Sequence, residues 1–307
     1  MASETSASRR GLLTGAVAGL AGFAAGAAGA AAFVGARKGP RVVVDGRARF
    51  KDKVILITGA TSGIGAVAAK MFAAEGGKVA FCGRRTDRGA EVETDIKAEG
   101  GDAKYIRADV RSEDEVRRFV DTAAELYGGL DICFNNAGIT IERPLHDYTA
   151  AEWDDVVNTD LRGNFLALKY EVPHLIRRGG GVVVVTASSN AIATSPKRSA
   201  YSAAKRGLVG MVQAAAQDYA DKNIRINVLI PGTTDTELVR RAAGMMNAPD
   251  PVWEAAVSVW AKSNVAVAQR LARPEEIAAA ALMMASDEFT YMNGAQIVVD
   301  GGKTTHA

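Results

Sequence analysis

An α/β fold, one doubly wound parallel sheet with helices on both faces, is the class this sequence predicts. Three observations predict it. Short apolar runs alternate with helical patterns without a break from Val54 to Val299, the order that builds a parallel sheet from strand–helix–strand units. A glycine-rich turn, Thr58 to Gly65, joins the first apolar run to the first helical pattern. The 307 residues are 48% hydrophobic, enough for one large core or two small ones, and the unbroken alternation favours one.

The N-terminal segment differs in kind from the rest. Ser8-Arg9-Arg10-Gly11-Leu12-Leu13 precedes an uncharged stretch, mostly Ala and Gly, that runs to Arg37. A paired arginine, a mildly apolar run and small residues before Ala36 read as a twin-arginine export signal. Two readings compete with it. An uncleaved membrane anchor is long enough to span, at about 1.5 Å per residue, although its hydropathy is low. A plain cytosolic extension is the other. The expected organisation is a signal or anchor over residues 1–36, a linker over 37–49 and a nucleotide-binding domain over 50–307. Expected locations are the periplasm, the cell exterior or a membrane, with membrane contact confined to residues 11–36. Net charge is +2, with acids and bases interspersed, and nothing in that balance marks a nucleic-acid surface.

The first strand pattern is Lys53-Val54-Ile55-Leu56-Ile57. The helix after the turn carries Ile64, Val67, Ala68, Met71 and Phe72 on one face. Strand, glycine turn and helix make the first half of a dinucleotide-binding unit. Gly59, Gly63 and Gly65 let backbone approach a pyrophosphate, and Ser62, Gly63 and Ile64 open the helix whose free N–H groups would face it. The second strand, Lys78 to Cys82, ends in Gly83-Arg84-Arg85. A carboxylate there would bind ribose hydroxyls and repel a 2′-phosphate, whereas Arg84 suits a phosphate. This favours NADP(H) over NAD(H). The competing reading has Arg84 and Arg85 solvated and Asp87 reaching the ribose.

The third strand pattern, Lys104 to Ala108, ends in Asp109-Val110. By itself Asp109 reads as a cap for the helix from Ser112. The fourth, Leu130 to Phe134, leads into Asn135-Asn136-Ala137-Gly138, where the glycine permits close backbone approach. Cys82 and Cys133 sit on strands two apart, about 9.6 Å, too far for a disulfide, and read as buried hydrophobes. The fifth pattern, Val182 to Val185, is followed by Ser188. Ile226 to Ile230 is followed by Pro231-Gly232-Thr233-Thr234-Asp235-Thr236, by itself a turn. Gln296 to Val299 is the last.

Tyr201-Ser202-Ala203-Ala204-Lys205 reads as helical, so a spacing of four places phenol and ammonium one turn apart on one face. A phenol titrates near 10 and needs an adjacent cation to exchange a proton near neutrality. Lys205 is that cation. Ser188, thirteen residues before Tyr201, would orient a substrate oxygen. Ser189 is one register away, Ser202 points off the pair, and Tyr219 has no lysine four residues later. His146, His174 and His306 are isolated in sequence. The expected site uses no metal.

Taken together and in order, the glycine loop, Asn135-Asn136-Ala137-Gly138, Ser188, Tyr201-x-x-x-Lys205 and Pro231-Gly232 resemble the short-chain dehydrogenase/reductase family over residues 50 to 302. The resemblance implies seven strands, an adenine contact at Asp109 and Val110, and a hold on the nicotinamide carboxamide at Thr236. It implies cofactor contacts along Asn136, Ala137, Gly138, Pro231 and Gly232, with Tyr201 and Lys205 at the nicotinamide ribose. It also implies a lid from Glu237 to Gln269 and a homotetramer or homodimer. Met245, Met246, Trp253 and Trp260 would make either an apolar pocket wall or the lid's own buried stripe. One position departs from the family. Seven residues after Trp153, where the family carries an asparagine beside a water in the proton path to the lysine, this chain has Asp160. An aspartate cannot donate unless protonated, and its charge favours Lys205 as ammonium. The expected activity is interconversion of a secondary alcohol and a ketone or aldehyde. A 3-oxoacyl thioester or sugar, or a non-catalytic dinucleotide sensor, stands as the alternative.

Overall fold

The computed structural model describes residues 48–265 and 267–305. The signal or anchor reading of residues 1–36, and the linker up to residue 47, lie outside the described residues. Among the described residues no helix is long and apolar enough to cross a membrane.

Seven parallel strands form the sheet: β1 (Val54–Thr58), β2 (Lys78–Gly83), β3 (Asp102–Arg107), β4 (Ile132–Asn135), β5 (Gly181–Thr186), β6 (Ile224–Pro231) and β7 (Gln296–Val299). Their order is β3-β2-β1-β4-β5-β6-β7, so seven strands in one doubly wound sheet, as expected. β1 is buried along its whole length, which is why it reads as a continuous apolar run rather than an alternation. Its side chains still divide by parity. Val54 and Leu56 enter one core with α3 (Glu113–Tyr127), α5 (Gly163–Arg178) and α6 (Ser199–Asp218). Ile55 and Ile57 enter the other with α1 (Gly63–Ala74), α2 (Thr86–Ala98) and α9 (Pro274–Ala285). Between α3 and α9 in the chain come α4 (Ala150–Val157), α7 (Glu237–Ala242) and α8 (Asp250–Asn264).

Local chemistry sets several boundaries. α3 begins at Ser112, whose hydroxyl accepts from Glu115 N, and three acids occupy its first turn. It ends at Gly128 in the left-handed conformation. Ser112, not Asp109, is therefore the cap. Strand β4 starts two residues later than its apolar run suggests. Leu130 is buried ahead of it, and Asp131 is tied to β1 through both its backbone N, which donates to Val54 O at 3.0 Å, and its carboxylate, which accepts from Val54 N at 2.8 Å. Order reverses at β1, with β2 on one side and β4 on the other. A crevice at the carboxyl ends of these strands follows from that reversal.

Cys82 and Cys133 are free and buried on β2 and β4, with β1 between them. Burial pushes the Cys82 thiol up to about 12 and the Cys133 thiol well above its usual value. Both behave as small hydrophobes.

Beside Cys133 lies a buried acid. Glu171 on α5 has no exposed surface, and Asn135 Nδ2 donates to its Oε2 at 2.9 Å. Burial raises its carboxyl to about 7, against the lowering effect of the bonds from Asn135 and Cys133. The folded chain thus holds this proton more tightly than the unfolded chain does. Its contribution is complete below the unfolded value of 4.5 and is lost as pH rises to about 7. Glu171→Gln keeps shape and hydrogen bonding without a charge. Thermal melts from pH 5 to 8 should show the variant gaining on the wild type, by about 3 kcal/mol at the alkaline end. A difference that does not change with pH would show that Glu171 is not the responsible proton.

Candidate active site

A cleft of about 320 Å³ opens at the carboxyl ends of the strands. The turn after β1 forms its floor. Gly59 is left-handed, with φ of 68°, and a Cβ there would stand 2.6 Å from Ala137 Cα. The turns after β1 and β4 therefore touch through bare backbone. Thr58 Oγ1 ties them further, accepting from Asn136 N at 3.1 Å and Ala137 N at 3.2 Å. Gly65 does not border the cleft. A Cβ on it would strike Gly59 O at 2.5 Å, so its role is to let α1 approach the turn. Ser62, Gly63 and Ile64 do border the cleft, at a helix start with no acid in its first turn. Free N–H groups and a positive dipole end facing a space that side chains would have filled fit a pyrophosphate.

At the rim, Arg84 and Arg85 separate in role. Arg85 donates to Ser62 Oγ, to Thr61 Oγ1 at 3.3 Å and to Glu237 Oε2 at 2.6 Å, bridging the glycine turn to the start of α7. Arg84 borders the cleft and, among the described residues, makes no hydrogen bond or ion pair. Asp87 is exposed on the first turn of α2 and is not part of the cleft wall. Asp109 and Val110 border the cleft next to Arg84. Burial works to raise the Asp109 carboxyl, but the bonds from Arg111, at 2.6 to 3.1 Å, outweigh it and hold it below its usual value.

The other end holds the proton-transfer candidates. α6 presents Tyr201, half-buried, and Lys205, 2% exposed, one turn apart. Lys205 Nζ donates to Thr186 O at 2.9 Å, lies 3.3 Å from Asp160 Oδ2 and stands 5.7 Å from the centroid of the Tyr201 ring. Asp160 is fully buried behind the cleft. It sits in a π-helical turn, Asn158–Arg162, between α4 and α5, a local widening that helices adopt at functional positions. Its Oδ1 accepts from Ile139 N at 2.8 Å. Burial raises its carboxyl, with Lys205 and Ile139 opposing. Gly138 leaves room here, since a Cβ would stand 3.1 Å from Asp160 Oδ2 and 3.2 Å from Lys205 Nζ and press on both. Asn158, two residues earlier, faces a different surface depression.

Ser188 borders the cleft and accepts from Asn190 N at 3.2 Å and Asn190 Nδ2 at 3.4 Å. Those two donors leave its own hydroxyl proton free for another acceptor. Ser189 also borders the cleft, and Ser202 does not. Pro231, Gly232 and Thr236 line the side after β6. Gly232 packs on Asp300, with a notional Cβ 2.6 Å from its Cα, and Thr236 Oγ1 donates to Thr234 O at 3.3 Å. Of the two readings for the lid, its own buried stripe describes Trp253. That ring is 1% exposed against Ala243 and Leu271, with its Nε1 donating to Asp235 Oδ1 at 2.9 Å. The lid residues that border the cleft are Glu237, Leu238, Val239 and Arg241.

Some residues of the cleft carry no sequence signal. Thr186 acts through a backbone carbonyl, and Asn190 follows no motif. Lys303 arrives from the C-terminal turn. Burial lowers its ammonium to about 8, Arg198 pushes the same way and Asp300 opposes. The histidines stand apart from the cleft: His146 is exposed, His174 is half-buried between Asp121 and Arg177, and His306 lies outside the described residues.

The family model for short chain dehydrogenases matches residues 53–247. The chain belongs to the short-chain dehydrogenase/reductase family. It is 37% identical to a cis-4-hydroxycyclohexanecarboxylate dehydrogenase of Sinomonas cyclohexanicum, over 83% of this chain and 98% of that one. It is 34% identical to a cyclohexanol dehydrogenase of an Acinetobacter strain, over 84% and 97%. The crystal structure of a levodione reductase superposes with a TM-score of 0.78 at 33% identity, covering 84% of this chain and all of that one. As a short-chain dehydrogenase/reductase, the protein is an oxidoreductase of hydroxyl and carbonyl groups and takes a nicotinamide dinucleotide.

Asp160→Asn tests the departure from the family pattern. The amide oxygen can still accept from Ile139 N, so the fold should hold and activity should remain. The negative charge 3.3 Å from Lys205 Nζ offsets part of the positive charge that the ammonium presents to the site. Its removal should move the pH dependence of kcat/KM to lower pH, by about one unit. An unchanged rate and profile would show that the carboxylate exerts no field on the site.

Proposed function

We propose that this short-chain dehydrogenase/reductase interconverts a secondary alcohol and a ketone with NADP(H), using Ser188, Tyr201 and Lys205 to move the proton. The observation that carries this is the arrangement of the cleft. Tyr201 and the buried Lys205 stand at one end with Ser188, and the glycine turn with Arg84 stands at the other.

A nicotinamide dinucleotide bound in the cleft would supply or accept the hydride. Its pyrophosphate would lie on Ser62, Gly63 and Ile64, its adenosine side beside Asp109, Val110 and Arg84, and its nicotinamide side toward Thr236. The chain's own residues do the rest. Ser188 Oγ donates to the substrate oxygen and stabilises the charge that grows there. Tyr201 delivers its phenolic proton to that same oxygen in reduction, and receives one from the hydroxyl in oxidation. The Lys205 ammonium, fixed by Thr186 O and Asp160, favours the phenolate that remains.

NADP(H) is supported by what stands at the end of β2. Gly83-Arg84-Arg85 offers no carboxylate to repel a 2′-phosphate, and Arg84, whose charge reaches Asp109, makes no hydrogen bond or ion pair among the described residues. A ring-borne secondary alcohol is supported by the relatives named for cyclohexanol and for a hydroxycyclohexanecarboxylate, and by Leu238 and Val239 on the cleft wall.

Steady-state kinetics on a panel of cyclic ketones and their alcohols, with both cofactors, tests the reading. NADPH should be used with at least a roughly tenfold higher kcat/KM than NADH, and Arg84→Ala should reduce that ratio by a similar factor. A wild-type preference for NADH would contradict the cofactor assignment. Absence of turnover in either direction across the panel would contradict the reaction.

A further inference from the structure

The cleft contains a cation that the proton-transfer set does not use. Lys303 lies just past β7 and borders the same cleft as Ser188 and Tyr201. Its position is imposed by the chain before it. Gly301 and Gly302 both adopt left-handed φ, 65° and 79°, and a Cβ on Gly302 would stand 2.4 Å from Val267 Cγ2. Only glycines can make this turn at this distance. Ala268 N donates to Gly301 O at 3.0 Å and pins it to the segment that closes the lid.

The obvious neutralising acid is engaged elsewhere. Asp300 Oδ1 accepts from Gly302 N at 2.9 Å, and its Oδ2 accepts from Thr304 N at 2.9 Å and Thr304 Oγ1 at 2.6 Å. Its carboxylate shapes the turn that aims Lys303. An ammonium has three protons to donate. Lys303 Nζ has Thr233 Oγ1 at 3.3 Å and stands 6.0 Å from the centroid of the Trp260 ring. Among the described residues it has no carboxylate within ion-pairing distance. Its neighbour in charge is another cation. Arg198, three residues before Tyr201, also borders the cleft. Glu142 pairs with its guanidinium, yet Arg198 Nε is buried without a hydrogen-bond partner. This wall therefore presents two cations and one acid, with donors left over. A buried donor left unmatched is unfavourable; Arg198 Nε is one, and an anion in the cleft would meet it together with the half-buried Lys303 ammonium.

We propose that Lys303 recognises the substrate, and that the substrate is a ketone or secondary alcohol bearing a carboxylate away from the reacting carbon. The proposal rests on the oxidoreductase reading and narrows its substrate class. Ser188 and Tyr201 hold one end of the molecule by its carbonyl oxygen. Lys303, with Arg198 beside it, holds the other by its charge. Leu238 and Val239 lie against the apolar frame between.

The test compares two probes that differ only in charge, 4-oxocyclohexanecarboxylate and its methyl ester, on the full chain and its Lys303→Met and Lys303→Arg variants. Calorimetric titration of cyclohexanecarboxylate, which cannot react, into the cofactor-loaded protein is the second arm. The wild type should favour the carboxylate. Lys303→Met should lower the carboxylate-to-ester ratio of kcat/KM roughly 10- to 100-fold, mainly through the ketone KM, and should weaken calorimetric binding by a similar factor. Lys303→Arg should recover much of both. An unchanged ratio, or a rise in the NADPH KM in place of the ketone KM, would overturn the assignment. Turnover of both ketones without preference would leave the oxidoreductase reading standing and sink this one. Turnover of neither would count against the oxidoreductase reading, and the calorimetry would still decide Lys303: binding lost in Lys303→Met supports it, while binding absent from the wild type or untouched by the variant refutes it.

Discussion

Lys205 keeps a charged ammonium almost wholly out of water, and a charge so placed must find partners in the protein. It finds the Thr186 carbonyl at the end of β5 and the Asp160 carboxylate from the turn between α4 and α5. Each partner imposes something on the chain. Thr186 O is available because β5 ends there. Asp160 reaches inward because the helix widens into a π turn at Asn158–Arg162, and Ile139 N holds its second oxygen. Gly138 suits its place because a Cβ would press on both the ammonium and the carboxylate. The contact gathers the ends of β4 and β5, the π turn and α6 around one nitrogen. It places positive charge below the Tyr201 ring.

The opposite end of the cleft obeys a different constraint, close approach of backbone to backbone. Gly59 touches the Ala137 backbone, and Gly65 touches the Gly59 carbonyl. The result is a helix start with exposed N–H groups and no side chain over it. An anion is the natural occupant. Electrostatics then runs in one sense along the cleft: the start of α1 and Arg84 at one end, Lys205, Arg198 and Lys303 at the other. Three acids stand against that trend: Asp109, held by Arg111, and Glu237, paired with Arg85, border the cleft, and Asp160 lies behind its wall.

Much of this was legible in the sequence, for physical reasons. A strand buried on both faces, such as β1, is apolar throughout and can be read directly; the partly exposed edge strands β3 and β7 are more mixed and are read from their place in the alternation, and Leu130 extends its run because a buried loop residue is apolar for the same reason. Tyr201 and Lys205 are bound by helical spacing, which is a local rule. Gly59 is visible because only glycine satisfies both its left-handed backbone and its close approach to Ala137. What could not be read depends on contacts between distant segments. A backbone carbonyl such as Thr186 O has no residue code. Asn190 acts on Ser188 from a short irregular turn. Arg84 and Arg85 look alike in sequence, and only the position of Glu237, more than a hundred residues away, separates the engaged one from the free one. Lys303 sits in a terminal turn with no motif, and its surroundings come from Thr233, Trp260 and Arg198. The aromatic and methionine content of the lid gave no direction: Trp253 turns inward to a small core of its own, whereas Met246 is exposed.

The claim beneath all of this is that Tyr201 is the proton donor, made effective by the buried ammonium one turn along. The kcat of the Tyr201→Phe protein for NADPH-dependent reduction of a cyclic ketone is the most direct measurement, with fluorescence titration of NADPH as the check that the cleft is intact. The account predicts a fall of about 10²- to 10⁴-fold with cofactor binding retained. A variant that binds NADPH and reduces the ketone as fast as the wild type would contradict it.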